Sequence, residues 1–322
     1  MRHPIRGVGA ALALLLVASA ACAENWPQWR GPNNDGTSSE TGLPASWSAT
    51  ENLRWRVPLP GAAGSTPVVW DDRIFLTSAD GENVSLISMS DTGEELWSKP
   101  FSDENWEIRG GEGNAASPSP VTDGEHVWAF ASNGDLASYT VDGEQVWTTN
   151  IEDRYGEFDM YFVMASSPWL DGDRLYMQLI HSNGWIVLAL DKHTGDEVWV
   201  HKRSSDARSE SEQSYASPFL YRDSEREFLI SHGADYVVGH SLVDGSEVWR
   251  CGGLNPQDSY NPSLRFVASP VAVPGLIVVP SAKNGPVLAL SPDASGDITD
   301  TGASRVWSRE RGTPDVPSPL IH

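Results

Sequence analysis

Apolar residues in this chain fall into short runs separated by Asp- and Gly-rich turns, and no stretch carries a helical period. Residues 217–250 show this most plainly. Positions 218–221 are apolar and 222–226 are polar. Two further runs, 227–232 and 236–242, are divided by Gly233-Ala234-Asp235, and Val243-Asp244-Gly245 makes a tight turn ahead of 247–250. Four short strands joined by such turns predict one antiparallel meander. The same scan fits 68–97, 121–147, 169–199 and 271–307, the last with an inserted loop.

The meander returns about every fifty residues, which marks a repeat architecture. Gly93, Gly143, Gly195 and Gly245 each precede a tryptophan by four positions: Trp97, Trp147, Trp199 and Trp249. Gly302 and Trp307 form a fifth copy that is one residue longer. In phase with them run Thr66-Pro67, Ser117-Pro118, Ser167-Pro168, Ser217-Pro218, Ser269-Pro270 and Ser318-Pro319. Four-stranded antiparallel units stacked around an axis are the blades of an all-β propeller. Blades are predicted at 65–115, 117–165, 167–215, 217–267 and 269–317, with a sixth beginning at Ser318. A twisted blade buries both faces against its neighbours. The five tryptophans are therefore assigned to docking in the wide outer wedge between blades, and the glycines to the turn conformation. Residues 52–57 read as an outer strand without a blade of its own, so the ring is expected to need further sequence to close.

With 39% hydrophobic residues and 14 Trp among 322 residues, the chain has ample material for a large core. Arg2 and Arg6 precede an apolar stretch over 8–21 that is too short to span a bilayer, and Ala21-Cys22-Ala23 supplies a small-residue cleavage site. Residues 1–23 are thus expected to be a signal peptide, with cleavage after Ala23 and export to the periplasm or beyond. Residues 24–51 form an N-terminal extension and 52–322 the propeller domain. The rival reading at this point is a lipid anchor on Cys22, although Ser19 stands where a leucine is usual. The net charge of −22 becomes more negative once Arg2 and Arg6 are removed, and an acidic surface of this kind repels nucleic acid and anionic lipid. Cleavage leaves Cys251 alone, so no internal disulfide can form, and a buried structural thiol is expected there.

Residues 189–199, Ala-Leu-Asp-Lys-His-Thr-Gly-Asp-Glu-Val-Trp, fit an A-x-D-x-x-T-G-x-x-x-W docking motif. The other copies are looser: Ala137 keeps the alanine, while Ile87 and Gly239 replace it. On these residues the chain resembles the pyrroloquinoline-quinone-like (PQQ-like) propeller repeat proteins, the superfamily of quinoprotein alcohol dehydrogenases and BamB-like propellers. Three further segments are similar to a secreted branch of that group: Trp26-Pro27-Gln28-Trp29-Arg30-Gly31-Pro32, Asn114-Ala115-Ala116-Ser117-Pro118-Ser119-Pro120, and Gly296-Asp297-Ile298-Thr299. The resemblance implies an eight-bladed propeller, here truncated after five blades and the start of a sixth. It also sets what a quinoprotein dehydrogenase needs: a vicinal Cys-Cys disulfide, a tryptophan floor, a Glu/Asn/Asp set around Ca²⁺ and a catalytic Asp. One mature cysteine cannot make that disulfide, and no carboxylates match the calcium or base positions.

No haem-attachment, nucleophile-elbow or phosphate-loop motif occurs. His126, His181, His201, His232 and His240 lie in or beside predicted strands and read as core or surface residues. Asp293, Asp297 and Asp300 lack the spacing and the bidentate Glu of a calcium loop, so that segment reads as a solvated insertion. No catalytic or metal-ligating residue is assigned. The longest and most aromatic loops precede the innermost strands, at 106–114, 155–162, 209–215 and 258–266, and they carry Arg109 and Arg265, with Arg154 directly beside them. A propeller gathers such loops at one mouth, so Arg109, Asn114, Tyr161 and Arg265 are the candidate ligand-binding residues. Glu107, Glu112 and Asp258 are the expected pairing partners if the arginines serve structure instead. The sequence thus favours an exported, non-enzymatic scaffold for a protein or peptide partner, with no cofactor. The alternative is a PQQ- and calcium-dependent dehydrogenase of alcohols or sugars.

Overall fold

The computed structural model describes residues 23–106, 108, 111–302 and 304–321. Cys22, Arg109 and nearly all of the expected signal peptide lie outside the described residues. Five antiparallel sheets follow one another along the chain. The first contains β1 (Val68–Trp70), β2 (Arg73–Asp80), β3 (Asn83–Ser90) and β4 (Glu95–Ser102). The second contains β5 (Val121–Thr122), β6 (His126–Phe130), β7 (Asp135–Thr140) and β8 (Gln145–Asn150), after which comes a single short helix, α1 (Ile151–Tyr155). The third is β9 (Trp169–Asp171), β10 (Arg174–His181), β11 (Gly184–Asp191) and β12 (Glu197–Lys202), and the fourth β13 (Phe219–Arg222), β14 (Glu227–Gly233), β15 (Tyr236–His240) and β16 (Glu247–Cys251). The fifth is β17 (Val271–Val273), β18 (Leu276–Pro280), β19 (Val287–Leu290) and β21 (Arg305–Arg309). Four strands per unit and the all-β class agree with the sequence pattern.

Two details differ from it. The loop inserted in the fifth unit does not stay there: β20 (Gly296–Asp297) pairs in parallel with β16 and makes the fourth sheet five-stranded. Residues 52–57 form no strand among the described residues, but Trp55 still docks on the first sheet.

Docking explains the glycine–tryptophan repeat. The indole N–H of each tryptophan donates to a carbonyl in the β3–β4-type turn of the following sheet: Trp55 to Asp91 (2.8 Å), Trp97 to Val141 (2.9 Å), Trp147 to Lys192 (3.0 Å) and Trp199 to Leu242 (3.1 Å). Each ring then lies over the glycine of that turn. A Cβ on Gly93, Gly143, Gly195 or Gly245 would come within 2.7, 3.0, 2.9 and 2.5 Å of Trp55, Trp97, Trp147 and Trp199, respectively. These glycines also have φ between +74° and +86°, so they serve both the turn and the close approach. Trp249 departs from the pattern. Its ring lies over Gly239 of its own sheet and meets Phe228 edge-on at 5.6 Å, and its indole N–H has no acceptor. Gly239 lacks the Cβ that Ala189 presents to Trp199, so the Trp249 ring settles there instead. Gly302 has no side chain seated on it, and Trp307 is 45% exposed.

The hub is held by a chain of backbone-to-hydroxyl bonds. Thr66 N–H donates to Ser119 Oγ, Ser119 N–H to Ser167 Oγ, Ser167 N–H to Ser217 Oγ, Ser217 N–H to Ser269 Oγ and Ser269 N–H to Ser318 Oγ, all at 2.9–3.0 Å. The second sheet enters this belt through Ser119 rather than Ser117. The hydroxyl of Ser117 instead accepts the Asn114 N–H at 3.1 Å and closes a local turn. Around the belt lies an apolar core whose largest fully buried side chains include Trp128, Trp249, Phe75, Phe130, Phe219 and Phe266. Cys251 is buried and free, as the sequence led us to expect. Among the described residues no helix is long and apolar enough to cross a membrane.

Two measurements follow from this packing. Trp199→Ala should cost about 3–5 kcal/mol in denaturant unfolding, the usual loss for an aromatic-to-Ala core cavity. The half-exposed Trp307→Ala should cost far less. His181, His232 and His240 are buried, and desolvation pushes their pKa values down to about 4, about 3 and about 3. A depressed histidine is neutral in the fold and protonates on unfolding near 6.5. Its stabilisation is therefore complete above pH 6.5 and falls by about 1.4 kcal/mol per pH unit as the pH drops towards the folded value. A melting-temperature titration from pH 8 to pH 4 should show this decline begin near pH 6.5. A flat profile would place these rings in water.

Candidate functional site

Inner strands begin at the serine belt, and the loops before them rise to one mouth. Beneath the mouth is a cavity of about 410 Å³ lined by Ala62–Gly64, Gly111–Asn114, Ala165, Tyr215, Val267 and Val316 together with Ser117 and the belt serines 119, 167, 217, 269 and 318. Trp29 also lines it, brought there by the N-terminal extension. A second space of about 310 Å³ opens beside it, lined by Phe162, Val163 and Arg265 and sharing Glu112, Ser117, Ala165, Tyr215, Val267 and Val316 with the first. The two make one continuous funnel. Small side chains keep it open, because the belt admits only residues that let adjacent inner strands approach within one hydrogen bond.

The predicted residues separate in this geometry. Asn114 is 5% exposed and lines the deeper cavity, with its amide committed to the loop: Nδ2 donates to Ala62 O at 3.3 Å and Oδ1 accepts the Ala116 N–H at 2.9 Å. Arg265 lines the outer space. It lies over the Phe162 ring at 4.9 Å, between Glu210 at 3.8 Å and Asp315 at 3.7 Å, and Lys283 shares Glu210 at 3.4 Å. Among the described residues its partners are thus Glu210 and Asp315, not Glu112 or Asp258, and Glu107 lies outside the described residues. Tyr161 is 63% exposed and lines neither space, while its backbone N–H donates to Gln213 Oε1. Arg154 points away from the mouth, donating to Gly195 O on the neighbouring docking turn. Convergence of Arg109 with Arg265 falls outside the described residues.

Sequence reasoning missed the belt hydroxyls, Tyr215 and Trp29. The Ser-Pro series held the signal for the first. Tyr215 sits edge-on to Phe162 at 5.8 Å and donates to Gln213 Oε1, and burial holds its hydroxyl well above the ordinary range. Glu112 is the one carboxylate lining the funnel among the described residues. Such a set can hold a ligand by shape and neutral hydrogen bonds, with one cation at the rim already balanced by acids.

The N-terminal extension crosses the far end of the hub. Trp26 exchanges both backbone bonds with Val69 of β1 at 2.8 Å, Pro27 O accepts the Thr122 N–H of β5 at 2.9 Å, and Gln28 Oε1 accepts the Leu170 N–H of β9 at 3.0 Å. Arg30 then donates to Pro319 O at 2.6 Å.

Five blades around a common hub, the first four joined by indole docking and all five by the serine belt, define the chain as a β-propeller of the PQQ-like repeat type. The family model described as outer membrane protein assembly factor BamB matches residues 37–160 and 90–319, and the chain belongs to that family. No curated protein sequence matches it. Among solved structures it is similar to the quinohemoprotein alcohol dehydrogenase ADHIIG from Pseudomonas putida HK5, with a TM-score of 0.53 and 12% identity over 80% of this chain and 43% of that one. It is similar also to the quinohemoprotein alcohol dehydrogenase from Comamonas testosteroni, with a TM-score of 0.52 and 12% identity over 78% and 43% of the two chains. BamB from Moraxella catarrhalis aligns with a TM-score of 0.48 at 16% identity, over 78% and 69%. The chain therefore spans less than half the length of the two dehydrogenases, and likeness at this identity concerns the fold alone.

The described residues do not fit a PQQ–calcium centre. They supply an indole, Trp29, an amide, Asn114, and a single carboxylate, Glu112, in the funnel. Among the described residues, Cys251 in β16 of the fourth blade is the one cysteine, and no group of three or more His, Cys, Asp or Glu is placed to hold a metal.

Proposed function

We propose that this protein is an extracytoplasmic, non-enzymatic propeller that holds a protein or peptide partner in its central funnel. The observation that carries the reading is the funnel itself: two connected spaces of about 410 and 310 Å³ lined by hydroxyls, small side chains and the aromatics Trp29, Phe162 and Tyr215. Arg265 at its rim is neutralised by Glu210 and Asp315 and rests on Phe162, which presents a planar cation without net charge to an incoming chain. A narrow polar waist under an aromatic mouth suits an extended segment, whose amides and carbonyls find neutral partners while a side chain packs against the rings. Export rests on the basic and apolar N-terminus and on a family described as an outer membrane assembly factor. The eight-bladed ring implied by the resemblance belongs to the same proposal. The alternative, a quinoprotein dehydrogenase, draws on Trp29 at the floor of the funnel and on the likeness to the two alcohol dehydrogenases.

A photo-crosslinking amino acid placed at Phe162 should capture a polypeptide in the extracytoplasmic fraction, while the same group at the remote, 81%-exposed Val243 should not. The full-length protein incubated with PQQ and Ca²⁺ should show neither a retained quinone absorbance nor alcohol-dependent dye reduction. Dye reduction, with no adduct from Phe162, makes the protein an enzyme and ends the scaffold reading.

A further inference from the structure

The N-terminal extension uses one residue per blade to cap the hub, and the pattern stops after the third blade. Val69, Thr122 and Leu170 occupy the same place on their inner strands, third after the Thr/Ser of the belt. In an antiparallel ladder, alternate residues turn both backbone groups away from the partner strand. Val69 does this: it faces Ile74, yet its N–H and C=O both bond Trp26. Leu220 and Ala272 are the equivalent residues of the fourth and fifth blades, facing Leu229 and Ile277. Counting back from the closing bond Asp223 N–H to Arg226 O, and from the closing pair Val273 and Leu276, both fall on the non-bonded step. Their N–H and C=O groups therefore turn to the hub side, as those of Val69 do.

Over those two residues lies a cavity of about 510 Å³, which Leu220 and Ala272 help to line. Gln28 lines it as well, whereas its neighbour Trp29 lines the funnel, so the extension separates this space from the partner site proposed above. Trp169 forms part of its wall, is 7% exposed, and has an indole N–H with no acceptor. Arg222 does not recruit an anion there. Both its terminal nitrogens are taken by Asp171 at 3.0 Å and its Nε by Glu227 at 3.0 Å. Asp35 of the extension also lines the cavity, its Oδ1 accepting the Thr37 N–H at 2.9 Å, and the remaining free groups are neutral donors and acceptors over apolar walls.

We propose that this cavity is a second binding site that takes an extended, uncharged peptide segment from a partner chain. The segment lays its carbonyls on the Leu220 and Ala272 amides as Trp26 and Pro27 lay theirs on Val69 and Thr122. The occupant has the chemistry of Trp26-Pro27-Gln28: an extended backbone with an aromatic side chain for the apolar wall and a proline that gives up its own N–H without loss. The site is independent of the funnel, and either can fail alone.

The probe is the capped peptide acetyl-Trp-Pro-Gln-Trp-amide at concentrations up to 1 mM, read by amide hydrogen exchange of the whole protein. Exchange at Leu220 and Ala272 should slow at least about tenfold, with Val69 and Thr122 unchanged because Trp26 and Pro27 already cover them. Leu220→Pro and Ala272→Pro each delete the hub-facing donor at an inner edge position that makes no ladder bond, where proline is tolerated. Each should weaken peptide binding at least about tenfold with the melting temperature unchanged. If either variant misfolds, the exchange data on the unmodified protein still decide. No protection of the two amides at 1 mM peptide overturns the proposal. Protection without peptide, accompanied by dimerisation, assigns the groove to a second copy and overturns it equally.

Discussion

An indole buried flat against a polypeptide backbone needs a surface without a Cβ, and that requirement organises this protein. Each docking tryptophan leaves its own outer strand and closes on the turn of the next blade, where a carbonyl accepts its N–H and a glycine receives its ring. The contact fixes distance and rotation together, since a ring 2.5–3.0 Å from a hypothetical Cβ leaves no slack. Once the outer wedge is set, the inner strands are brought close enough for the serine belt to bond blade to blade. Outer indoles and inner hydroxyls thus hold the two ends of each of the first four blades.

The funnel is a consequence of the belt. Residues that allow adjacent inner strands to meet must be small, so the axis is lined by Ser, Ala and Gly and remains open. The chain's own N-terminal extension uses that openness, crossing the hub on channel-facing amides and inserting Trp29 as a floor. On the proposed reading, recognition falls to the loops above the belt and to the inner-strand amides below it. Among the described residues neither place groups the carboxylates of a quinone–calcium centre, and the likeness to alcohol dehydrogenases at 12% identity concerns the fold alone.

Much of the architecture was legible in the sequence because it is repeated. The four runs of 217–250 became β13–β16 with shifts of no more than two residues, and the glycine–tryptophan spacing located the docking turns. Where a repeat offers two candidates, or departs from its pattern, local reading fails. Ser117-Pro118-Ser119-Pro120 contains the motif twice, and only the bonds to Thr66 and Ser167 show that Ser119 is the belt residue. Gly239 looked like a loose copy of Ala189, yet it redirects Trp249 onto its own sheet. The site was less legible still. Arg265 lines the outer space, and its partners Glu210 and Asp315 come from the 209–215 loop and from beyond β21. Spacing along the chain carries no information about such pairs. Trp29 was quoted as part of a family signature, and its role in the funnel depends on where the extension crosses the hub.

The central claim is that each docking indole, from Trp55 to Trp199, seats on the glycine of the turn it reaches, and a double-mutant cycle of Trp199→Ala with Gly245→Ala measured by denaturant unfolding tests it most directly. An added methyl at Gly245 meets the Trp199 ring at 2.5 Å and also sits at φ +75°. With the ring removed, only the left-handed backbone cost of about 1–2 kcal/mol should remain. The account predicts that Gly245→Ala is clearly more costly in the wild type than beside Trp199→Ala, so the two changes are strongly non-additive. Additive costs would mean that the ring and the glycine do not touch, and would contradict the blade register described here.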